Sequence, residues 1–344
     1  MNRRRFLSAG VPLLTAPFVA SACGGGEEEG GGNEGGSVLR IAAAFSGTVN
    51  DNDYNQLGYE ALLNAEQALG AETTYNESTT VDDVVQVMQG YLADGYNVIW
   101  THGSQFYRDS MELAAQNAEV TFIAENDEEP QDAPPNLWTI DRNFHTAFYP
   151  IGALAAMVTQ TGRIGYICGP QLPFSYSEVH AIRQAISDLQ DENVLDGEVT
   201  VHPHWTNDFN DTGLAMQTAQ QLINDGCDVI ISSLNLGTSG VLEAVKDQDG
   251  LWATVKYTDK SEVAPNNYLT ACLYDFTTPL ATILDDIRGG TRTGYYLLGF
   301  DSGVSIQPPP ASIDSAIVER LNDIVQRVRQ GDIVVEKNLE PLTS

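Results

Sequence analysis

A histidine pair, three cysteines in the body of the chain and one aspartate-rich loop are the groups whose types and spacing could do chemistry. His202-Pro-His204 would turn two imidazoles to one face of a strand, but no third ligand accompanies them. Asp51-Asn-Asp53-Tyr-Asn55 opens like a calcium loop, then lacks glycine at the sixth position and glutamate at the twelfth, where Leu62 stands. Cys168, Cys227 and Cys272 have no C-x-x-C spacing and lie in or beside apolar runs, where a small buried hydrophobe is the ordinary reading. Ser46-Gly-Thr and Gly237-Thr-Ser-Gly240 are not phosphate cradles, since neither G-x-G-x-x-G nor G-K-[ST] occurs. No Ser/His/Asp set stands out over any other. No catalytic residue, metal site or cofactor is therefore expected, and attention moves to loops that could hold a small molecule.

Those loops need a scaffold, and the pattern supplies one. Strand-like runs at Leu39 to Phe45, Thr73 to Asn76, Asn97 to His102, Val120 to Glu125 and Leu137 to Ile140 alternate with helical spacings such as Leu57, Ala61, Leu62, Ala65 and Leu69. A second series follows, with strands Arg163 to Cys168, Val199 to Trp205, Asp228 to Ser233 and Ala253 to Tyr257. Alternation of this kind makes a parallel sheet covered on both faces, because the crossovers are right-handed. The expected fold class is α/β, with two Rossmann-like lobes joined by a hinge: residues 38–145, to which about 265–300 return, and residues 146–264. Residues 301–344 pack on the lobes as a C-terminal segment. Ligands bind outside the carboxyl ends of such strands, in loops 45–55, 101–109, 141–145, 169–176, 205–211, 234–240 and 258–262.

The ends and the charge bound the setting. Met1 to Arg5 is basic, Phe6 to Ala22 is apolar and rich in small residues, and Cys23 follows Ala20-Ser21-Ala22. This succession is an export signal over residues 1–22, and Arg3-Arg4-Arg5-Phe6-Leu7 fits the twin-arginine pattern. Interrupted by Pro12 and Pro17, the stretch is shorter than the roughly 20 apolar residues of a spanning helix. Small residues before Cys23 resemble a lipobox, with Ala20 where leucine is usual, and residues 23–37 form a flexible Gly/Glu tether. Cleavage nearby with Cys23 incidental is the alternative. With 17 Lys and Arg against 47 Asp and Glu, the formal net charge is −30. Such a field repels nucleic acid and anionic lipid. Only four lysines occur, Lys246, Lys256, Lys260 and Lys337, a balance suited to salt-rich surroundings.

The loop sequence Phe45-Ser-Gly-Thr-Val-Asn50-Asp51-Asn-Asp-Tyr54-Asn55-Gln56-Leu-Gly-Tyr59-Glu60 resembles the opening signature of the Bmp (basic membrane protein) family, purine-nucleoside-receptor-like lipoproteins of ABC importers. Tyr149-Pro-Ile-Gly152-Ala-Leu-Ala-Ala156, Thr161-Gly162-Arg163-Ile164-Gly165, Trp205 to Gly213, Gly226-Cys-Asp228-Val229-Ile230 and Tyr295 to Gly303 continue the resemblance in order to about residue 335. It implies a type I periplasmic-binding-protein-like fold that is not an enzyme, a lipid anchor at Cys23, a permease partner and a small-molecule ligand, a purine nucleoside.

By position, the resemblance places Tyr54 on one side of the ligand's base and Trp205 or Phe209 on the other; Phe45 and Phe106, in the inferred cleft loops, add further aromatics. Asp51, Asn55, Asp109, Asp211 and Asp259 match its acidic or amide positions, Asp259 where a carboxylate would take ribose hydroxyls, and Lys260 lies beside it. Trp205 at a strand end is as readily core, and Asp51 and Asp211 stand where N-caps belong, which is the preferred reading for both. Two departures concern the ligand: Phe45 stands where many nucleoside-binding members carry a carboxylate, and Tyr274 where they carry a lysine. With only Arg108, Arg142 and Lys260 in or beside the loops, a phosphorylated ligand would be repelled. The alternatives are a nucleoside-hydrolase-like enzyme, which should carry a fuller aspartate motif, and a sugar-binding, vitamin-binding or sensory ectodomain of the same fold.

Lipidation at Cys23 has a direct test. Cys23→Ala should release the protein into the medium or leave it unprocessed, as read by cell fractionation; unchanged membrane association would refute the anchor.

Overall fold

The computed structural model describes residues 38–342; the export segment, the tether and Cys23 lie outside the described residues. The described chain opens with β1 (Arg40–Phe45), α1 (Tyr54–Leu69), β2 (Glu72–Asn76), α2 (Val84–Ala93), β3 (Val98–His102), α3 (Tyr107–Gln116), β4 (Thr121–Asn126) and β5 (Leu137–Asp141). It continues through α4 (Phe144–Val158), β6 (Arg163–Cys168), α5 (Pro173–Asp191), β7 (Thr200–Trp205), α6 (Thr212–Asn224), β8 (Val229–Ser233), α7 (Thr238–Val245), β9 (Trp252–Tyr257) and β10 (Tyr268–Tyr274). Then come α8 (Thr277–Arg288), β11 (Gly294–Leu297), β12 (Val304–Ile306) and α9 (Ser315–Gln330).

Two six-stranded sheets result, ordered β11-β5-β4-β3-β1-β2 and β12-β10-β9-β8-β6-β7. Every pairing is parallel except β12 on β10. Strands covered on both faces read as continuous apolar runs, and β1 shows why: Ile41, Ala43 and Phe45 enter one core while Ala42 and Ala44 enter another. In β8, Val229 and Ile231 likewise face one core and Ile230 a second. The core shared by Ile41, Phe148 and Ile182 runs from the α1 side of the first sheet to the α4 and α5 side of the second.

The chain crosses between lobes at residues 142–143, 275–276 and 298–303, and neighbouring crossings are tied together. Leu298 N–H donates to Asp141 O at 2.9 Å, and Asn143 Nδ2 donates to Leu298 O at 2.9 Å. Asp275 N–H donates to Gly303 O at 2.8 Å, where φ is +117° and a Cβ would stand 2.6 Å from Asp275 O, so only glycine fits. Lys337 and Tyr295 both reach the Asp141 carboxylate, which brings the C-terminal segment to the same place.

One boundary differs from the sequence expectation. The return to the first lobe does not begin near 265: β10 pairs in parallel with β9 inside the second sheet, and α8, packed on α1, is the first element to go back. An apolar strand flanked by another gains more from the buried sheet than from the crossing, and its periodicity alone does not name its partner. Strand β12 also stands beyond the pattern, three residues long and adjoining the Pro308-Pro309-Pro310 run. Among the described residues no helix is long and apolar enough to cross a membrane.

Cys168, Cys227 and Cys272 are free and buried. Burial pushes the thiols of Cys168 and Cys272 up to about 12 and that of Cys227 up to about 11. A thiolate is the reactive form, so in a Cys23→Ser chain a disulfide reagent at pH 8 should label no thiol before unfolding and all three in denaturant. Rapid labelling of the native chain would place at least one cysteine at the surface.

Candidate functional site

The carboxyl ends of the two sheets meet at a buried junction between the lobes. From the first lobe, the Tyr54 ring stacks on His102 with centroids 3.9 Å apart, and its hydroxyl donates to Glu125. His102 Nδ1 lies 2.5 Å from Glu125 Oε1, and its Nε2 lies 2.8 Å from Tyr54 O. Burial would raise the Glu125 carboxyl, but His102 and Arg142 outweigh it and hold the pKa below its ordinary value. Arg142, on the first crossing, donates through Nη2 to Asp127 at 2.6 Å and to Ser104 Oγ at 2.7 Å. Its guanidinium lies over the rings of Phe144 and Phe174, 4.7 and 5.0 Å from their centroids. Burial works against this charge, yet Asp127 chiefly keeps its pKa well above the usual arginine value.

The second lobe contributes a lysine enclosed by rings. Lys256 Nζ sits 3.2 Å from the Phe144 centroid, 4.9 Å from that of Phe174 and 5.0 Å from that of Tyr257. It donates to Glu178 at 2.6 Å and to Ser233 Oγ at 3.2 Å. Glu178 also accepts from Tyr166 OH at 2.6 Å. Burial lowers the Lys256 pKa and Glu178 restores part of it. The ammonium is thus a tethered donor, and Ser233 beside it has no free base. Among the described residues no group of three or more His, Cys, Asp or Glu is placed to hold a metal ion.

Contacts cross the junction directly. Lys260 Nζ donates to Asp53 Oδ1 at 2.6 Å, Thr258 Oγ1 donates to Asn52 O at 2.7 Å, and Tyr54 and Tyr257 approach to 5.3 Å between centroids. Besides His102 Nδ1 and Glu125 Oε1, which face each other, Asp53 Oδ2, Arg142 Nε and Tyr274 OH have no hydrogen-bond partner there, Arg142 Nε lying 3.7 Å from Glu125 Oε2. Such atoms are costly unless something meets them, about 1–3 kcal/mol each. Arg142 lies against Phe144 and Phe174, and Tyr274 packs 5.1 Å from Phe144 and 5.7 Å from Tyr257, so rings and polar edges stand side by side at the junction. A hollow of about 670 Å³ bordered by Thr159, Gly162, Glu198 and Arg320 lies at the amino ends of the second sheet, away from these groups.

The residues singled out in the sequence divide. Tyr54, Asp51, Asn55 and Lys260 lie at the junction, but with partners within the protein. Asp51 accepts from the backbone N–H groups of Asp53, Asn55 and Gln56, as a cap for α1 does. Asn55 holds Gly47 N and the Asp51 carboxylate. Asp211 caps α6 through Leu214 N–H at 2.9 Å and is exposed. Phe45 packs edge-on to Trp100 and His102 in the α1-side core, and Phe106 lies in the core on the opposite face of the first sheet. Asp109 sits in the first turn of α3 beside Arg108.

Trp205 donates to Ser175 Oγ at 3.3 Å, and Phe209 lies nearly parallel to Phe174 with centroids 6.2 Å apart, its ring filling the space a Cβ on Gly169 would need. Asp259 points outward to Ser261 N and Gln307 Nε2 instead of lining the cleft. Residues absent from that set, Asp53, Glu125, Arg142, Glu178 and Lys256 among them, hold the buried charges. Lys256 carried a readable signal, a lysine inside the apolar strand Trp252–Tyr257 of a lysine-poor chain. Glu178 carried another, an acid on the apolar stripe of Phe174, Ile182 and Leu189.

Two α/β lobes with strand carboxyl ends facing across tied crossings make a type I periplasmic-binding-protein-like fold. The chain belongs to the Bmp family, described as ABC transporter substrate-binding protein PnrA-like, whose model matches residues 38–338. It is 23% identical to Basic membrane protein A2 of Borrelia garinii subsp. bavariensis over 88% of this chain and 90% of that one. It is also 23% identical to Transcriptional activator protein med of Bacillus subtilis, over 75% of this chain and 78% of that protein. An ABC transporter system solute-binding protein from Aeropyrum pernix K1 shares the fold with a TM-score of 0.75 at 16% identity, covering 87% of this chain and 94% of that structure. The family is one of substrate-binding proteins, not an enzyme class, and such proteins are extracytoplasmic.

The buried pair of Lys256 and Glu178 generates a stability prediction. Removing one partner leaves the other charged and buried, which costs about 3–5 kcal/mol. Lys256→Met should therefore lose that much in urea unfolding, and Lys256→Met with Glu178→Gln should lose clearly less. Equal losses would mean the pair is not a charge pair.

Proposed function

We propose that this chain is a lipid-anchored, extracytoplasmic solute-binding protein of an ABC importer, and that its junction captures a neutral, flat, hydroxyl-bearing molecule, best matched by a purine nucleoside. One observation carries the ligand class: every buried cation at the junction is already answered by a carboxylate. Arg142 has Asp127, Lys256 has Glu178 and Lys260 has Asp53. No uncompensated positive charge is left for a phosphate or carboxylate ligand, and an incoming anion would meet Asp53 and Glu125. Phe174 and Phe209, nearly parallel with centroids 6.2 Å apart, supply aromatic surface, while Asp53 Oδ2 is an acceptor and Arg142 Nε a donor without a hydrogen-bond partner.

The lysine expected by resemblance at position 274 is absent, but the Lys256 ammonium touches Phe144, which also packs 5.1 Å from Tyr274. A positive group thus stands beside the place where the resemblance calls for one, carried by the neighbouring strand. The role named for the Bacillus subtilis relative is not carried over, because a net charge of −30 opposes approach to nucleic acid. Importer and anchor rest on family membership and on the succession ending at Cys23.

Calorimetry with inosine, adenosine, inosine monophosphate, ribose and amino acids tests the reading. Inosine or adenosine should bind, with the monophosphate at least a hundredfold weaker. Phe174→Ala should weaken nucleoside binding by about 1–3 kcal/mol, as loss of a stacking ring does, and Asp259→Asn should leave it unchanged because that side chain faces outward. Tight binding of the monophosphate, a sugar or an amino acid with no nucleoside binding would overturn the ligand class and leave the family assignment standing.

A further inference from the structure

We propose that Asp53 and Lys260 form a charge latch between the lobes, a pair of positioning residues that must meet for the cleft to close. This rests on the reading of the chain as a two-lobed solute-binding protein, and not on which solute it takes. Asp53 immediately precedes α1 in the first lobe; Lys260 lies three residues beyond β9 in the second. Their charged atoms are 2.6 Å apart, and both side chains are almost wholly buried, with 0% and 6% exposure. Thr258 completes the contact, accepting from Lys260 Nζ at 2.7 Å while donating to Asn52 O at 2.7 Å.

The backbone is bent to make this reach. Tyr257 ends β9 with φ +76°, and Thr258 N–H donates back to Lys256 O at 3.1 Å, a γ-turn of the rare positive-φ kind. A tyrosine is held in this conformation only where its surroundings enforce it. The turn directs Thr258 and Lys260 away from the second sheet and onto the loop 52–53 of the first lobe. Asp53 and Lys260 approach across the junction, so separation of the lobes returns both to water. Closing buries them together, and either one alone would be a buried, unpaired charge. Burial pushes the Asp53 carboxyl up to about 7 against the pull of Lys260, and its second oxygen has no hydrogen-bond partner. The lobes therefore shut only in register, with Lys260 on Asp53.

Spin labels at Tyr75→Cys and Leu214→Cys, exposed positions on opposite lobes, report closure in a Cys23→Ser chain stripped of ligand by unfolding and refolding. Distance distributions should show a closed population that falls at least tenfold in Lys260→Met and in Asp53→Asn, and recovers toward the parent in the chain carrying both substitutions, where no charge is left to bury. Distributions in both single variants identical to the parent would overturn the latch, as would a combined variant as open as the singles. Far-ultraviolet circular dichroism identifies a variant that fails to fold, and the remaining single variant then decides. Inosine added to the parent is a separate arm: if it neither binds nor changes the distribution, the nucleoside reading fails while the comparison without ligand still judges the latch.

Discussion

A charge taken out of water must be met by its opposite, and the junction between the lobes is organised around that constraint. Arg142, Lys256 and Lys260 are each buried, and each has a carboxylate within 2.6 Å. Removing water strengthens both the attraction and the penalty of a mismatch. The pairs are therefore weak evidence for added stability and strong evidence for a specified geometry. Lys256–Glu178 lies wholly within the second lobe and shapes its wall. Arg142 is on the crossing and links Asp127 to rings of the other lobe. Lys260–Asp53 spans the junction itself. The same requirement thus fixes a wall, a hinge and a closing contact.

The lysines show the economy of this arrangement. Of four in the chain, Lys256 and Lys260 are buried in ion pairs and Lys337 reaches Asp141 at the crossing, leaving Lys246 on the surface beside Glu243. An acidic chain that keeps so few cations places most of them where position matters. Its surface carboxylates remain hydrated, repel one another and keep the protein apart from polyanions. The buried cations are each paired, and the chain as a whole is strongly negative.

The carboxylates themselves illustrate why a site is harder to read than a fold. Asp51, Asp211, Asp275 and Asp314 accept backbone N–H groups at the starts of helices. Those roles follow from short-range spacing, and for Asp51 and Asp211 the sequence pointed to them. Asp259 and Lys260 are neighbours in sequence, yet the aspartate turns to Gln307 at the surface and the lysine turns inward to Asp53. The positive φ at Tyr257 sets which of them does which, and nothing in the residue types announces it. Tyr54 was legible as a residue of the junction, but not its commitment to His102 and Glu125, residues 48 and 71 positions away.

From sequence alone came the α/β alternation, most strand positions, the two series of elements, the family resemblance and the absence of a recognisable catalytic or metal motif. Each of these is written in local periodicity, in spacing within a loop, or in the order of motifs along the chain. The tertiary structure alone decided that β10 stays with the second sheet, that Phe45 and Phe106 are core, and that Glu125 and Glu178 answer the buried cations. The reason is physical: strand pairing and charge pairing are choices among distant partners, governed by what is buried against what. A periodicity says that a face will be covered and a lysine in an apolar strand says that a carboxylate must be near, but only the packed chain chooses Glu178.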